Sequence, residues 1–404
     1  MKKLHYGYAI VLCQFLIMFI IVGLVMSCAG IFYRPVSEDL GIDIGKFGLY
    51  MSFNFLFSTL TLSFAGKLME QYSARILLTV SSVVAGSVFL AMSRFTALWE
   101  FYAAGILFGI TLAFLLYLGL PTLLNRWFKA RMGVFIGICS AGSGIGGVLF
   151  NPLGGWLITE YGWRTAYLIF GLMILVLVTP VLATLLRDYP RDKGLEPYGT
   201  SDVQMKATTL ANEGTEYARA LRMPIFYGLV IFAFLMNAAA TLNVFLPSYV
   251  QSVDFSLEEA SFVASAAMVG VTVGKVGLGA INDRDALAGV LVTIGLGIAG
   301  LLLLLLGHIH IAISITGGFF FGWAYAGVSV QIPLLVRSVF GNKHYARIYS
   351  NVSMAIAIGG AVAAGGWGLL ADVTSFRFIL WTGISFLILS GIIGIYALKN
   401  SKTV

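Results

Sequence analysis

The chain has 404 residues, 59% hydrophobic and 11% charged, with a mean hydropathy of +0.92 and a formal net charge of +7. This balance excludes a soluble globular protein, in which about a quarter of the residues are charged. The basic residues are scattered over many short segments, which argues against a nucleic-acid-binding face, and continuous apolar runs exclude an outer-membrane barrel, whose strands alternate.

A helix needs roughly 20 apolar residues to cross a bilayer. Twelve such runs follow one another at 8–33, 47–66, 75–93, 97–124, 132–158, 164–186, 224–250, 258–280, 286–306, 311–336, 348–371 and 376–397. Lys2 and Lys3 precede the first run, and Val25-Met26-Ser27-Cys28 faintly resembles a lipoprotein cleavage site. The run is longer than a signal-peptide core and further spans follow, so it reads as an uncleaved first helix. Tyr6-Gly7-Tyr8 opens this span and Phe32-Tyr33-Arg34-Pro35 ends it. Span two runs into Gly66-Lys67-Leu68-Met69-Glu70-Gln71-Tyr72-Ser73-Ala74-Arg75. Span four carries Tyr117 and, near its end, Pro121. Arg126-Trp127-Phe128-Lys129-Ala130-Arg131-Met132-Gly133 leads into span five, which holds Gly137, Ala141-Gly142-Ser143-Gly144-Ile145-Gly146-Gly147 and Pro152. Span six opens at Arg164, after Tyr161-Gly162-Trp163.

The one long polar segment, from Arg187 to Met223, carries Pro190, Pro197 and mixed charges and reads as a linker. Beyond it, span seven offers Asn237, Thr241 and Asn243; the first two are one turn apart and share a face. Span eight contains Lys275 and gives way to Gly279-Ala280-Ile281-Asn282-Asp283-Arg284. His308 and His310 stand in the turn after span nine. Span ten bears Trp323, Tyr325, Ser329, Gln331 and Pro333, and span eleven bears Asn351. Cys13, Cys28 and Cys139 all lie within apolar runs, without the spacing of a disulfide or zinc site.

The chain repeats weakly at an offset near 213: Gly66 with Gly279, Pro121 with Pro333, Arg164 with Arg377. The expectation is therefore an all-α membrane protein of twelve transmembrane helices in two pseudo-symmetric six-helix bundles, 1–186 and 224–404, joined by a cytoplasmic linker at 187–223. With the N-terminus inside, 19 Lys and Arg fall in inner segments and five in outer ones, with Lys275 completing the 25. Positive charge stays on the cytoplasmic side, so both termini are expected there.

Lys275 stands apart because every other charged residue lies at or beyond the end of an apolar run. A charge at the centre of a membrane helix costs about 2.5–3.5 kcal/mol on insertion scales and marks a functional site by default. Two roles stay open. Lys275 can bind an anion, or it can snorkel towards inner water along the helix. Every Asp and Glu lies in a loop or at the end of a span, so a proton carrier of the usual intramembrane kind is absent.

The segment from Gly66 to Arg75 resembles the signature loop of the major facilitator superfamily, with Gly66, Leu68, Glu70 and Arg75 fitting and Gln71, Ser73 and Ala74 departing. Gly279, Asp283 and Arg284 resemble its second copy. The resemblance spans essentially the whole chain and implies that these residues gate rather than choose substrate. A narrower resemblance, carried by 126–147, by Tyr161-Gly162-Trp163-Arg164, by Tyr6-Gly7-Tyr8 and by Phe32-Tyr33-Arg34-Pro35, is to the monocarboxylate transporters and the bacterial oxalate/formate exchangers. It implies that Lys275 occupies the place of a basic residue that holds the substrate carboxylate, with Lys in place of Arg. The acid expected one turn earlier is replaced by Val271. It also implies that spans one, four, seven and ten line the cavity, so Tyr117, Asn237, Thr241, Trp323 and Tyr325, with Asn351, are candidate substrate contacts. Asn54, Asn243, Ser329 and Gln331 are further polar groups of the same kind.

The expected function is transport of a small organic anion, a monocarboxylate such as lactate, pyruvate or formate, across the inner (plasma) membrane. Proton symport, anion exchange and facilitated diffusion stay open, so protons or a counter-anion are expected partners beside the lipid bilayer. The chain is read as a monomer without cofactor, metal or nucleic-acid partner. Efflux of amphipathic drugs and a transporter-like solute receptor are the alternatives. An enzyme is disfavoured, since no nucleophile–base pair, metal cluster or phosphate loop is present.

Overall fold

The computed structural model describes residues 5–129, 132–199, 214–341 and 343–400. Among them the structure is helical throughout, with two isolated bridges, Phe128 to Tyr198 and Gly214 to Gly341, in place of any strand. Eleven continuous helical segments are long and apolar enough to cross a membrane. One of these, Val134–Leu185, has 52 residues. Gly162 breaks it with φ 80° and ψ 159°, a conformation that suits glycine, so the segment supplies two crossings. The segments form a multi-pass membrane protein.

The helices run past the polar boundaries read from hydropathy. The second span continues as Ile44–Gln71 and the eighth as Leu257–Arg284, so most of each loop motif is still helix. Backbone bonding continues where the side chains turn polar, because helix propensity and hydropathy are separate properties. The eighth span starts on a capping box: Ser256 Oγ accepts from Glu259 N at 3.2 Å and Glu259 Oε2 accepts from Ser256 N at 2.9 Å.

The chain divides into two compact units. The first comprises Met1–Ala29 and Phe53–Ala207, the second Gly30–Ser52 and Thr208–Val404. In the first unit, glycines bring spans one and five to backbone contact: a Cβ on Gly142 would lie 3.1 Å from Phe15 O, and one on Gly23 would lie 3.2 Å from Gly146 Cα. Small residues at helix interfaces allow this approach. Wide π-helical turns interrupt three of this unit's spans, at Ile17–Ser27, Ala113–Leu118 and Ile174–Val178. The first stretch of the linker folds onto this unit. Tyr198 N donates to Trp127 O, and Lys129 N to Tyr198 O, both at 2.9 Å.

In the second unit, the segment Gly30–Ser52 packs on spans seven and eleven. A Cβ on Gly368 would lie 2.6 Å from Gly45 Cα, and one on Gly48 would lie 3.3 Å from Phe245 Cζ. Tyr33 stands edge-on to Phe47 and Phe245, with ring centroids 5.2 Å apart in each pair. The far end of the linker joins this unit, where Thr215 N donates to Phe340 O at 2.9 Å. Glu216 takes Lys343 and, at 3.0 Å, His344. Cys13, Cys28 and Cys139 are free and buried, in keeping with small packing residues.

Candidate functional site

The site is built outward from Lys275 in the second unit. On a helix, positions three and four apart share a face. Val271, one turn before Lys275, is 4% exposed and Leu278, one turn after, is fully buried. Lys275 therefore projects half-buried from an apolar face of an unbroken helix. The helix continues nine residues beyond it, to Arg284, which at 1.5 Å per residue is roughly 13 Å. No described residue forms a hydrogen bond or ion pair with its ammonium. A cation in such surroundings lacks the compensation that buried charges ordinarily have.

Span ten, Ile311–Phe340, lies closely along span eight. Gly270 faces Phe319 O, and Gly322 faces Ala267 O, with no room for a Cβ on either glycine. The indole of Trp323 lies along Gly274 and Gly277. A Cβ on Gly277 would come within 2.6 Å of its ring, and one on Gly274 within 3.2 Å of its Cα. The glycines on either side of Lys275 thus seat the tryptophan. Trp323 Nε1 is buried without an acceptor among the described residues. Tyr325, two residues on, is half-buried, and its hydroxyl has no hydrogen-bond partner among the described residues. Lys275, Trp323 and Tyr325 keep their polar atoms uncommitted within one pair of packed helices.

The other expected contacts are engaged in the packing of the unit. Asn237 Nδ2 donates to Ile356 O at 2.7 Å. Thr241 Oγ1 donates to Asn237 O at 2.8 Å and Ala238 O at 2.7 Å. Asn351 Nδ2 donates to Tyr217 Oη at 3.0 Å, tying the linker to span eleven. Tyr117 belongs to the first unit, where it is 39% exposed and lies in the π-helical turn of span four. Such turns often mark functional positions.

The signature residues lie at helix ends. In the first unit, Arg75 donates through Nε to Ala183 O at 2.8 Å, at the end of span six, and its backbone N donates to Asp188 Oδ1 at 2.8 Å. A cation at a helix C-terminus satisfies carbonyls left without an intrahelical partner. Arg126 Nη2 does the same for Met69 O at 3.1 Å. Glu70 is exposed. Gly66 and Gly279 match each other: a Cβ on either would meet nothing within 4 Å. Arg284 is exposed, and the side chain of Asp283 lies outside the described residues.

Two polar groups escaped the sequence reading, and a third, Asn282, entered it only as part of the loop motif. Gln14 in span one is fully buried, and neither amide atom has a partner among the described residues. Asn151 in span five donates to Ser27 O at 3.2 Å and Gly147 O at 2.7 Å. Asn282 donates to Gln331 Oε1 at 2.8 Å, bonding spans eight and ten across the helix pair that carries Lys275. A lone amide inside an apolar run is the signal common to Gln14 and Asn151.

A sequence profile described as Major Facilitator Superfamily matches residues 15–317. Among characterised proteins, Monocarboxylate transporter 12 of Xenopus laevis is 25% identical over 83% of this chain and 74% of its own length. The protein of the same name from Homo sapiens is 26% identical over 75% of this chain and 63% of its own. For that of Mus musculus the figures are 24%, 65% and 58%, so the match spans little more than half of that relative. Among solved structures, a bacterial homolog of the human lysosomal transporter Spinster, in an inward-facing and unoccupied conformation, superposes with a TM-score of 0.75 at 16% identity, covering 100% of this chain and 98% of that one.

Proposed function

Because the chain belongs to the Major Facilitator Superfamily, we propose that this transporter carries a small organic anion, a monocarboxylate such as lactate, pyruvate or formate, across the inner (plasma) membrane by alternating access. The observation that carries this reading is Lys275: a half-buried cation on an apolar helix face, with no protein partner among the described residues. A carboxylate supplies the missing charge. One ammonium suits one carboxylate, as a point charge with three rotatable donors. Trp323 Nε1 and Tyr325 Oη, on the span packed along span eight, are the neutral donors of this reading. Small residues along spans one, five, eight and ten supply the close helix packing along which a rocking transporter slides. The names of the relatives favour the same substrate class.

With every Asp and Glu in a loop or at a span end, the reading leaves proton symport through Lys275 itself, exchange of one anion for another, or facilitated diffusion. The test is uptake of labelled lactate, pyruvate and formate into proteoliposomes, with wild type and Lys275→Ala compared with and without a pH gradient. Uptake of one acid that disappears in the variant supports the reading, and its dependence on the gradient separates symport from exchange. Equal uptake by wild type and variant overturns it.

A further inference from the structure

The second unit contains a cavity of about 590 Å³ far along the sequence from Lys275, formed where the segment after span one meets the ends of spans seven and eleven and the start of span twelve. Its volume lies in the range of small-molecule sites, about 300–1,000 Å³. Three carboxylates border it: Glu38, Asp43 and Asp372. Two have cations beside them. Arg34 Nε lies 2.6 Å from Glu38 Oε1, and Lys46 Nζ lies 2.7 Å from Asp43 Oδ2. Asp372 has no ion pair among the described residues; its Oδ2 accepts only the backbone N–H of Gly45, at 2.8 Å. Asp372 is therefore the carboxylate of the cavity left without a contacting cation among the described residues, Lys46 acting on it only from a distance.

The second observation is independent of charge. Ser248 is fully buried and Ser37 is 4% exposed, both border the cavity, and neither hydroxyl has a hydrogen-bond partner among the described residues. Buried hydroxyls are nearly always bonded, and leaving one unmade costs about 1–3 kcal/mol. Two together beside an acid-rich cavity mark a place for a polar occupant. Phe376 supplies an apolar wall.

We propose that this cavity binds a small protonated amine that also carries a hydroxyl, with its ammonium on Asp372 and its hydroxyl on Ser37 and Ser248. An inorganic metal ion fits less well, because no three His, Cys, Asp or Glu among the described residues stand close enough to share one. An anion fits less well, because Arg34 is already taken by Glu38. An ammonium donates to the carboxylate, and a ligand hydroxyl, which can both donate and accept, suits the two serine hydroxyls. The site is separate from Lys275 and stands whether or not the transported solute is an anion.

The probe is labelled ethanolamine, titrated onto the full-length protein in lipid nanodiscs, with tetramethylammonium and sodium chloride as competitors. Saturable binding is expected, displaced by unlabelled ethanolamine and poorly by tetramethylammonium, which has no N–H to donate. Asp372→Asn, which keeps an acceptor for Gly45, should weaken it at least about tenfold, as loss of a charge-assisted bond does. The double variant Ser37→Ala, Ser248→Ala should weaken it several-fold and also reads the site should Asp372→Asn fold poorly. Lys275→Ala should leave binding unchanged while abolishing anion uptake. The proposal is overturned if ethanolamine does not bind, if sodium displaces it as well as ethanolamine does, or if the Ser37, Ser248 double variant binds like wild type.

Discussion

Lys275 and the acidic cavity treat charge in opposite ways within one unit. Lys275 is a single cation between turns of buried apolar residues, Val271 and Leu278, with no protein counter-charge among the described residues. At the cavity, acids stand three or four residues from a base, Asp43 with Lys46 and Glu38 with Arg34, and Asp372 has no ion pair among the described residues. Exposed pairs contribute about 0–1 kcal/mol each and tolerate change. An uncompensated charge in apolar surroundings costs several kcal/mol and is retained only where something else depends on it. The contrast separates charge that serves the local fold from charge left available to a ligand.

The sharpest way to break the contrast is to remove the lone cation. Lys275→Ala should reduce uptake by about a hundredfold or more, the loss of a buried charge-assisted contact, while thermal melting stays level or rises because an uncompensated charge has gone. Loss of uptake together with a fall in melting temperature would assign Lys275 to the fold. The next is to supply the missing partner. Val271→Asp places a carboxylate one turn from Lys275, and uptake should fall about tenfold at neutral pH. It should recover as the pH drops and the new acid is protonated, which a pH series of initial rates would read.

A smaller effect probes the packing beneath. Gly277→Ala puts a methyl against the Trp323 ring and should cost about 1–3 kcal/mol, whereas Gly279→Ala meets open space and should be neutral or stabilise by up to about 1 kcal/mol through helix propensity. Thermal melts of the two variants side by side decide it. The smallest effect concerns a paired charge. Lys343, then His344, hold the Glu216 carboxyl below its usual 4.5. A depressed folded-state pKa stabilises above the unfolded value and loses that contribution as pH falls through the folded one. The linker end should therefore loosen only below about pH 4.5, and Glu216→Gln should remove the dependence. Limited proteolysis across that pH range would show it.

Much of this was legible in the sequence, for identifiable reasons. Twelve apolar runs give twelve crossings because bilayer thickness fixes segment length. Lys275 was legible because a charge inside an apolar run has no local explanation. The helix ends were not, since Gly66 to Gln71 and Gly279 to Arg284 turn polar while their backbone stays helical. The partners of Asn237, Thr241 and Asn351 were also out of reach, because a carbonyl of span eleven, a carbonyl four residues back and a tyrosine from the linker are equally silent in composition. The seating of Trp323 on Gly274 and Gly277 belongs to a pair of helices rather than to either alone. Ser37 and Ser248, far apart in the chain, meet only through the fold.

The π-helical turns of the first unit have a mechanical consequence. Each N–H there reaches back five residues instead of four, so the stretch holds more chain than an α-helix of equal height needs. Span one stores such slack over the 11 residues from Ile17 to Ser27, and span four stores it around Tyr117. Drawing out one surplus residue would turn everything beyond it by about 100° about the helix axis, the angle one residue subtends in an α-helix. A single-residue deletion within Ile17–Ser27 should thus be absorbed by regularising the coil, whereas the same deletion in the evenly wound Leu257–Arg284 would carry Lys275 to another face.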